Sequence, residues 1–413
     1  VVGAAFGVEV VIGASIAGAL GGSGRLRHME TGFRPTACSV VRGSGKIALS
    51  TPQRIMMKGR IHGLDTLRAA AIVLVLMYHY GVVAGGRDFG EAGRIGWAGV
   101  DLFFVLSGYL IGNQLLSQPM PLSTFFGRRL LRTLPNYYVV LAAYFLLPAV
   151  LAGSGTAPLW RFLTFAQNFD LQYGQTFTHS WSLCIEEQFY LVLPLALLLL
   201  RRPRWIWSAM TLAVAGAVAF RAQGWSHGMQ PFSQELYYSS FARFDELLPG
   251  VAIALLKNHH SALYERILRH GNLLLVAGLV MAGVLLARFD DESFFMTAFG
   301  FTLLALSFSL LLMAALSPAS LLARVRVPGA ESLALWSYAI YLAHKPLFKV
   351  VGEALPLDRH AAPGIAMVML AGVGGGWLLY QLVEQPFMRR RAAWFPLTPY
   401  CGTARTTSPG TTG

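Results

Sequence analysis

Apolar runs long enough to approach the ~30 Å hydrocarbon core of a bilayer, which takes about 17–25 helical residues, recur through this chain from Leu64 onward. Ten such runs fall at approximately 64–83, 99–116, 137–152, 182–200, 205–221, 241–256, 271–287, 294–316, 333–350 and 364–388. Composition excludes a water-soluble domain, because 55% of the 413 residues are apolar and only 13% are charged, too few to cover a globular surface. The reading is an all-α integral membrane protein of about ten transmembrane helices.

The loops check that count independently, since Lys and Arg concentrate on the cytoplasmic side of a membrane protein. With residue 60 inside, the inner segments hold Arg54, Lys58, Arg60, Arg68, Arg128, Arg129, Arg132, Arg201, Arg202, Arg204, Lys257, Arg266, Arg269, Arg324, Arg326, Arg389, Arg390 and Arg391. The outer loops hold only Arg87, Arg94, Arg161, Arg221, Arg288 and Arg359. Both ends are therefore expected in the cytoplasm. A net charge of +13 would suggest nucleic acid in a soluble protein, but here it reads as a topological signal and no nucleic-acid partner is expected.

Residues 1–55 fit the scheme poorly: the opening apolar stretch contains Glu9, lacks a basic leader and does not begin with Met. The reading adopted is that the functional chain starts near Met56 or Met57 and that residues 1–55 are over-extended translation or disordered; an eleventh membrane segment is the alternative. Residues 56–391 then form the membrane domain, and 392–413 a disordered tail rich in Thr, Gly and Pro. Cys38, Cys184 and Cys401 fit neither a metal-ligand nor a disulfide spacing.

A charge in the bilayer core costs about 2.5–3.5 kcal/mol or more, so ionisable residues within the runs are candidates for function. They are His79, Asp101, Glu186, Glu187, Arg243, Asp245, Glu246, His344, Lys345 and Glu384. Oriented by the loop charges, all but Glu384 fall in the outer half, which predicts a polar chamber opening outward. Arg68 and His79 are eleven residues apart, about 1,100° of helical rotation and within about 20° of whole turns, so they share a face. Their separation is roughly 16 Å, with Arg68 at the inner rim and His79 deep. Such a helix can hold a long anion at one end and present a base at the other.

Glu186 and Glu187 point about 100° apart, so one is expected to serve structure, paired with Arg243 or a nearby donor, and the other to orient a catalytic group. Asp245 and Glu246 read as a structural network with Arg243. Arg128, Arg129 and Arg132 are equally a positive-inside anchor or a phosphate clamp. His344, three residues beyond Tyr341, is either structural or a substrate contact. The aromatic residues between 153 and 180, with Trp181 after them, read as an interfacial belt or as stacking surfaces for a sugar ring. There is no GxxxxGK[ST], HExxH or GxSxG string, and His259 and His260 lack partners, so nucleotide hydrolysis, zinc proteolysis, an α/β-hydrolase nucleophile and a metal site are not supported.

The strings GLDTLRAAAIVLVLMYHY (63–80), GWAGVDLFFVLSGYLIG (96–112), FFGRRLLRTLPNYY (125–138), THSWSLCIEEQFYLVLP (178–194), SYAIYLAHKPL (337–347) and VEQPF (383–387) resemble the membrane acyltransferase-3 family of bacterial O-acyltransferases. They occur in the family's order over roughly residues 60–391; Thr66 stands where Gly is commoner. The resemblance implies a ten-helix enzyme in the inner (plasma) membrane. It would move an acyl group, often acetyl, from cytoplasmic acyl-CoA to a hydroxyl on a saccharide or glycosylated acceptor, with acyl-CoA as co-substrate and no bound cofactor. It also implies a catalytic His79 and a donor-side Arg68, and brings Arg128, Arg129 and Arg132 under suspicion.

The expected mechanism has the arginines holding the CoA phosphates and neutral His79 as general base. Asp101, Glu186 or Glu187 would fix its tautomer. Ser107 and Tyr190 would donate to the thioester oxyanion, and Trp181, Tyr341 and His344 are further candidates for substrate contact. A route through an acyl-histidine is also open. The competing class is a transporter or flippase, against which no half-to-half repeat is apparent.

Overall fold

A computed structural model describes residues 60–396 apart from 87, 118–119 and 355–357. The extension 1–55, the tail from 397 on, and Arg54, Lys58, Arg87, Cys38 and Cys401 lie outside the described residues. Among those described, the chain is all helix and turn, with no strand. Seven helices are long and apolar enough to cross a membrane: His62–Ala84 (α1), Ala98–Ser117 (α2), Thr178–Leu200, Pro203–Ser226 (α5), Gly271–Arg288 (α7), Met296–Leu316 and Ala362–Arg391. Thr178–Leu200 opens with a 3-10 turn before the α-helix Trp181–Leu200 (α4); Met296–Leu316 opens with a π turn before Phe301–Leu316 (α8). Ala362–Leu379 (α10) passes through a π turn into Gln385–Trp394.

The other three expected runs differ from the long apolar helices in instructive ways. The run 137–152 divides between the second half of a longer helix, Leu122–Leu146 (α3), whose first half carries Arg128, Arg129 and Arg132, and the short turn Pro148–Leu151. The run 241–256 is broken into Ser240–Arg243, a 3-10 turn Phe244–Glu246, and the helix Leu248–His259 (α6) of 12 residues. At 1.5 Å per residue that helix is about 18 Å long, short of the hydrocarbon thickness. The break coincides with Arg243, Asp245 and Glu246, whose side chains are wholly buried, and with Pro249, which has no N–H to donate. The run 333–350 lies in Ala330–Ala354 (α9), 25 residues long but carrying Glu331, Lys345 and Lys349.

Polarity is distributed as lipid demands. Leu146, Leu199, Leu212 and Leu382 are each more than 70% exposed on the outside, whereas Asp101, Arg221, Arg243, Asp245 and Glu246 are at most 1% exposed inside. Arg221, expected in an outer loop, is buried in α5 and grips Asp245 through two hydrogen bonds of 2.9 and 3.0 Å. Glycine permits the closest helix approach: a Cβ on Gly108 of α2 would lie 2.0 Å from the Leu247 carbonyl oxygen, and one on Gly250 of α6 would lie 2.1 Å from that of Val105. This approach seats α6 against α2 and brings Arg243 onto Asp101.

Candidate functional site

Two cavities lie on the same face of α1. Arg68 lines the first, about 790 Å³ of empty space including its open mouth, and His79 lines the second, about 1010 Å³ measured likewise. Val100 of α2 lines both, so the cavities meet across one residue. The eleven-residue spacing read from the sequence thus places one polar group in each.

The Arg68 cavity is built by α1, α2, α3, α4 and α9. Arg129 and Arg132 of α3 line it with Arg68, and among the described residues none of the three makes an ion pair. Arg129 lies 4.0 Å above the Tyr190 ring, a cation–π contact. Arg128 does not line the cavity; it donates to the Phe395 carbonyl. Residue 128 lies only about 40° from 132 on the helix, so its hydrogen bond to Phe395, not helical register, keeps its side chain out of the cavity.

Glu186 and Glu187 both line this cavity, and they meet different partners there. Glu186 accepts from Ser107 Oγ at 3.1 Å and from the Tyr190 hydroxyl. Ser107 and Tyr190 are therefore committed to a carboxylate on the arginine side, not placed around His79. Neither glutamate touches Arg243. That guanidinium pairs with Asp101 Oδ1 at 2.9 Å and with Glu246, and its flat face is covered by Phe301, 3.9 Å from the ring centre, with Tyr237 and Trp181 beyond. Asp101 is fully buried in this network and, among the described residues, makes no hydrogen bond with His79.

What touches His79 is His344. Its Nε2 lies 2.9 Å from His79 Nδ1, while its own Nδ1 lies 3.0 Å from the carbonyl of Ile340. A carbonyl only accepts, so His344 Nδ1 carries the proton and its Nε2 is a lone pair. His79 must then donate from Nδ1, which leaves His79 Nε2 as the basic nitrogen. The expected orienting carboxylate is replaced by an imidazole anchored to backbone.

A third ring completes a triangle. His179 lies 5.4 Å from His344 and 6.2 Å from His79, centre to centre. Its Nε2 donates to the Leu342 carbonyl at 3.2 Å. Phe177, at φ 55°, turns the chain sharply into the 3-10 turn Thr178–Ser180 that carries His179. The Tyr341 hydroxyl donates to the His179 carbonyl and meets Ser182 Oγ at 2.7 Å, locking α9 to the start of α4. Tyr341 thereby acts as a brace and lines the Arg68 cavity, while Trp181, Lys345 and His179 line the His79 cavity. Sequence reasoning passed over His179 as an individual residue; its only signal was adjacency to the Trp-Ser-Leu string at the start of a span.

The site joins an unpaired cluster of guanidinium groups, suited to a phosphate-bearing anion, to a cavity holding one neutral, oriented base about 16 Å away along α1. A family model described as an acyltransferase domain matches residues 61–381. The peptidoglycan O-acetyltransferase OatA of Listeria monocytogenes is 29% identical over 331 residues, covering 72% of this chain and 51% of the relative. The O-acetyltransferase OatA of Staphylococcus aureus is 23% identical over 370 residues, covering 82% of this chain and 58% of the relative. The chain spans about half the length of these relatives. No solved structure matches it.

Proposed function

Because the chain belongs to the acyltransferase-3 family, we propose that it is a multi-pass O-acyltransferase of the plasma membrane that moves an acetyl group from acetyl-CoA to a hydroxyl of an envelope saccharide. The observation that carries this reading is the pairing, on one face of α1, of an anion-binding arginine cluster with a histidine whose Nε2 is basic. In the proposed orientation, with ten crossings and both ends cytoplasmic, Arg68, Arg129 and Arg132 face the cytoplasm and the donor's phosphates. An extended pantetheine arm then reaches past Val100 and brings the thioester to His79.

There the acceptor oxygen attacks the thioester carbon as His79 Nε2 takes its proton. The tetrahedral intermediate collapses by breaking the carbon–sulfur bond, and the departing thiolate takes that proton from the imidazolium, giving ester and free CoA. His344 keeps the proton of His79 on Nδ1 throughout. The acceptor named for the Listeria relative is peptidoglycan, which makes cell-wall sugar the first acceptor to test.

The test is transfer from radiolabelled acetyl-CoA to saccharide by the purified chain in lipid nanodiscs, with His79→Ala and Arg68→Ala beside it. Label in saccharide from the parent protein, lost in the His79 variant, supports the reading; full transfer by His79→Ala ends it. Passage of saccharide across a vesicle membrane without CoA consumption supports a transporter instead.

A further inference from the structure

The His79 cavity has a chemical asymmetry that bears on the acceptor. Its walls are aromatic: Tyr78, Trp97, Tyr173, Trp181, Phe232 and Tyr238 line it. Flat rings of this kind cover the apolar C–H face of a pyranose, and they also attract cations through the negative face of the π-system. At the mouth stand Asp291 and Glu292, in the connection between α7 and α8. Among the described residues neither carboxylate has a Lys, Arg or His within 4.0 Å. The cation that lines the cavity, Lys345, follows His344 in α9 and belongs to the floor with the histidines.

Among the described residues, two buried polar atoms in the lining also lack partners. Trp97 is 3% exposed and its Nε1–H donates to nothing; His179 is 2% exposed and its Nδ1, a lone pair because Nε2 carries the proton, accepts nothing. Leaving such groups unpaired costs free energy, so a donor and an acceptor on the wall of one cavity call for a ligand offering the complementary pair, as a sugar hydroxyl does.

We infer that this cavity binds an acceptor sugar bearing a protonated amino group, with the ammonium between Asp291 and Glu292 at the mouth, the ring against the aromatic wall, and a hydroxyl delivered to His79. The inference rests on the saccharide reading above and narrows it to amino sugars with a free amine. A sugar carboxylate in the same pose meets two negative charges at the mouth and is disfavoured.

Binding is the discriminating readout, because it needs no donor. The full chain in nanodiscs of neutral phosphatidylcholine is titrated at pH 7 with three soluble trimers: glucosamine, N-acetylglucosamine and galacturonate. Fluorescence of the cavity tryptophans is followed. The glucosamine trimer is expected to bind about five-fold more tightly than the N-acetylated one, the equivalent of one modest ion pair, and more tightly still than the galacturonate. The Asp291→Asn/Glu292→Gln variant, altered only in an outer connection, is expected to bind the first two alike. Equal binding of all three trimers, preference for galacturonate, or an unchanged ranking in the variant overturns the inference and leaves the saccharide reading standing. No response to any trimer overturns both.

Discussion

His79 and His344 share one hydrogen bond, 2.9 Å between Nδ1 and Nε2, and its direction is set by a third group, the Ile340 carbonyl, which holds the proton of His344 on Nδ1. The relation is that of base and orienter, with an imidazole where a carboxylate is the commoner choice. His79→Ala removes the base and is expected to lower kcat by about 10²–10⁴-fold. His344→Ala leaves the base but frees its tautomer, and the loss expected is smaller, about 10–100-fold, the usual scale for a supporting hydrogen bond. His344→Asn, whose side-chain oxygen can accept from Nδ1, should recover part of it. Steady-state rates for the three variants at saturating donor check the order; equal losses in His344→Ala and His344→Asn would sink the tautomer argument.

The three guanidinium groups of the first cavity are expected to act on donor binding rather than on the chemical step. Removing one charge-assisted hydrogen bond to a phosphate costs about 1.5–3 kcal/mol, so Arg68→Gln, Arg129→Gln and Arg132→Gln should each raise the donor KM by about 10–100-fold. Arg128→Gln, whose side chain is held by the Phe395 carbonyl and does not line the cavity, should change it little. A lysine in place of Arg68 keeps the charge without the planar fork and should restore only part of the affinity. Donor titrations at fixed acceptor separate KM from kcat; an Arg128 effect as large as that of Arg129 contradicts the assignment.

Asp101 is predicted to matter for stability, not for the acid–base chemistry. It is fully buried beneath Arg243, and neutralising it leaves a cation buried with half its compensation gone. Breaking such a pair costs about 3–5 kcal/mol. Asp101→Asn should therefore lower the thermal midpoint of the purified protein while the pH profile of the surviving activity keeps its shape. A shifted profile at unchanged midpoint would return Asp101 to the catalytic group.

The differences between sequence reading and structure have separable causes. Seven apolar helices were legible because a long uncharged run has few alternatives, and the register of Arg68 with His79 was legible because both lie on one regular helix. α3 was truncated by that same logic, since its arginines depress hydropathy although they sit within the helix and two of them face a cavity. Partners were not legible. Arg243 meets Asp101 across 142 positions, and Arg221 meets Asp245 across 24, separations on which helical period is silent. His179 lies in a 3-10 turn after a left-handed Phe177, where face arithmetic does not apply.

Asp291, outside the membrane-spanning segments, carries a stability cost that a binding role would explain. Burial first, and the neighbouring Asp290 second, push its carboxyl up from 3.8 to about 6. With the folded value above the unfolded one, the folded state holds the extra proton between them. The contribution to stability is full below about 3.8 and is lost as pH rises through about 6. At neutral pH the ionised group is thus held against the fold's preference. Asp291→Asn removes that charge, so its thermal midpoint should exceed that of the parent by about 1–2 °C at pH 8 and match it at pH 4. Stability gained together with weaker binding of the glucosamine trimer is the trade expected of a functional residue. A midpoint raised equally at both pH values would show that packing, not charge, is responsible.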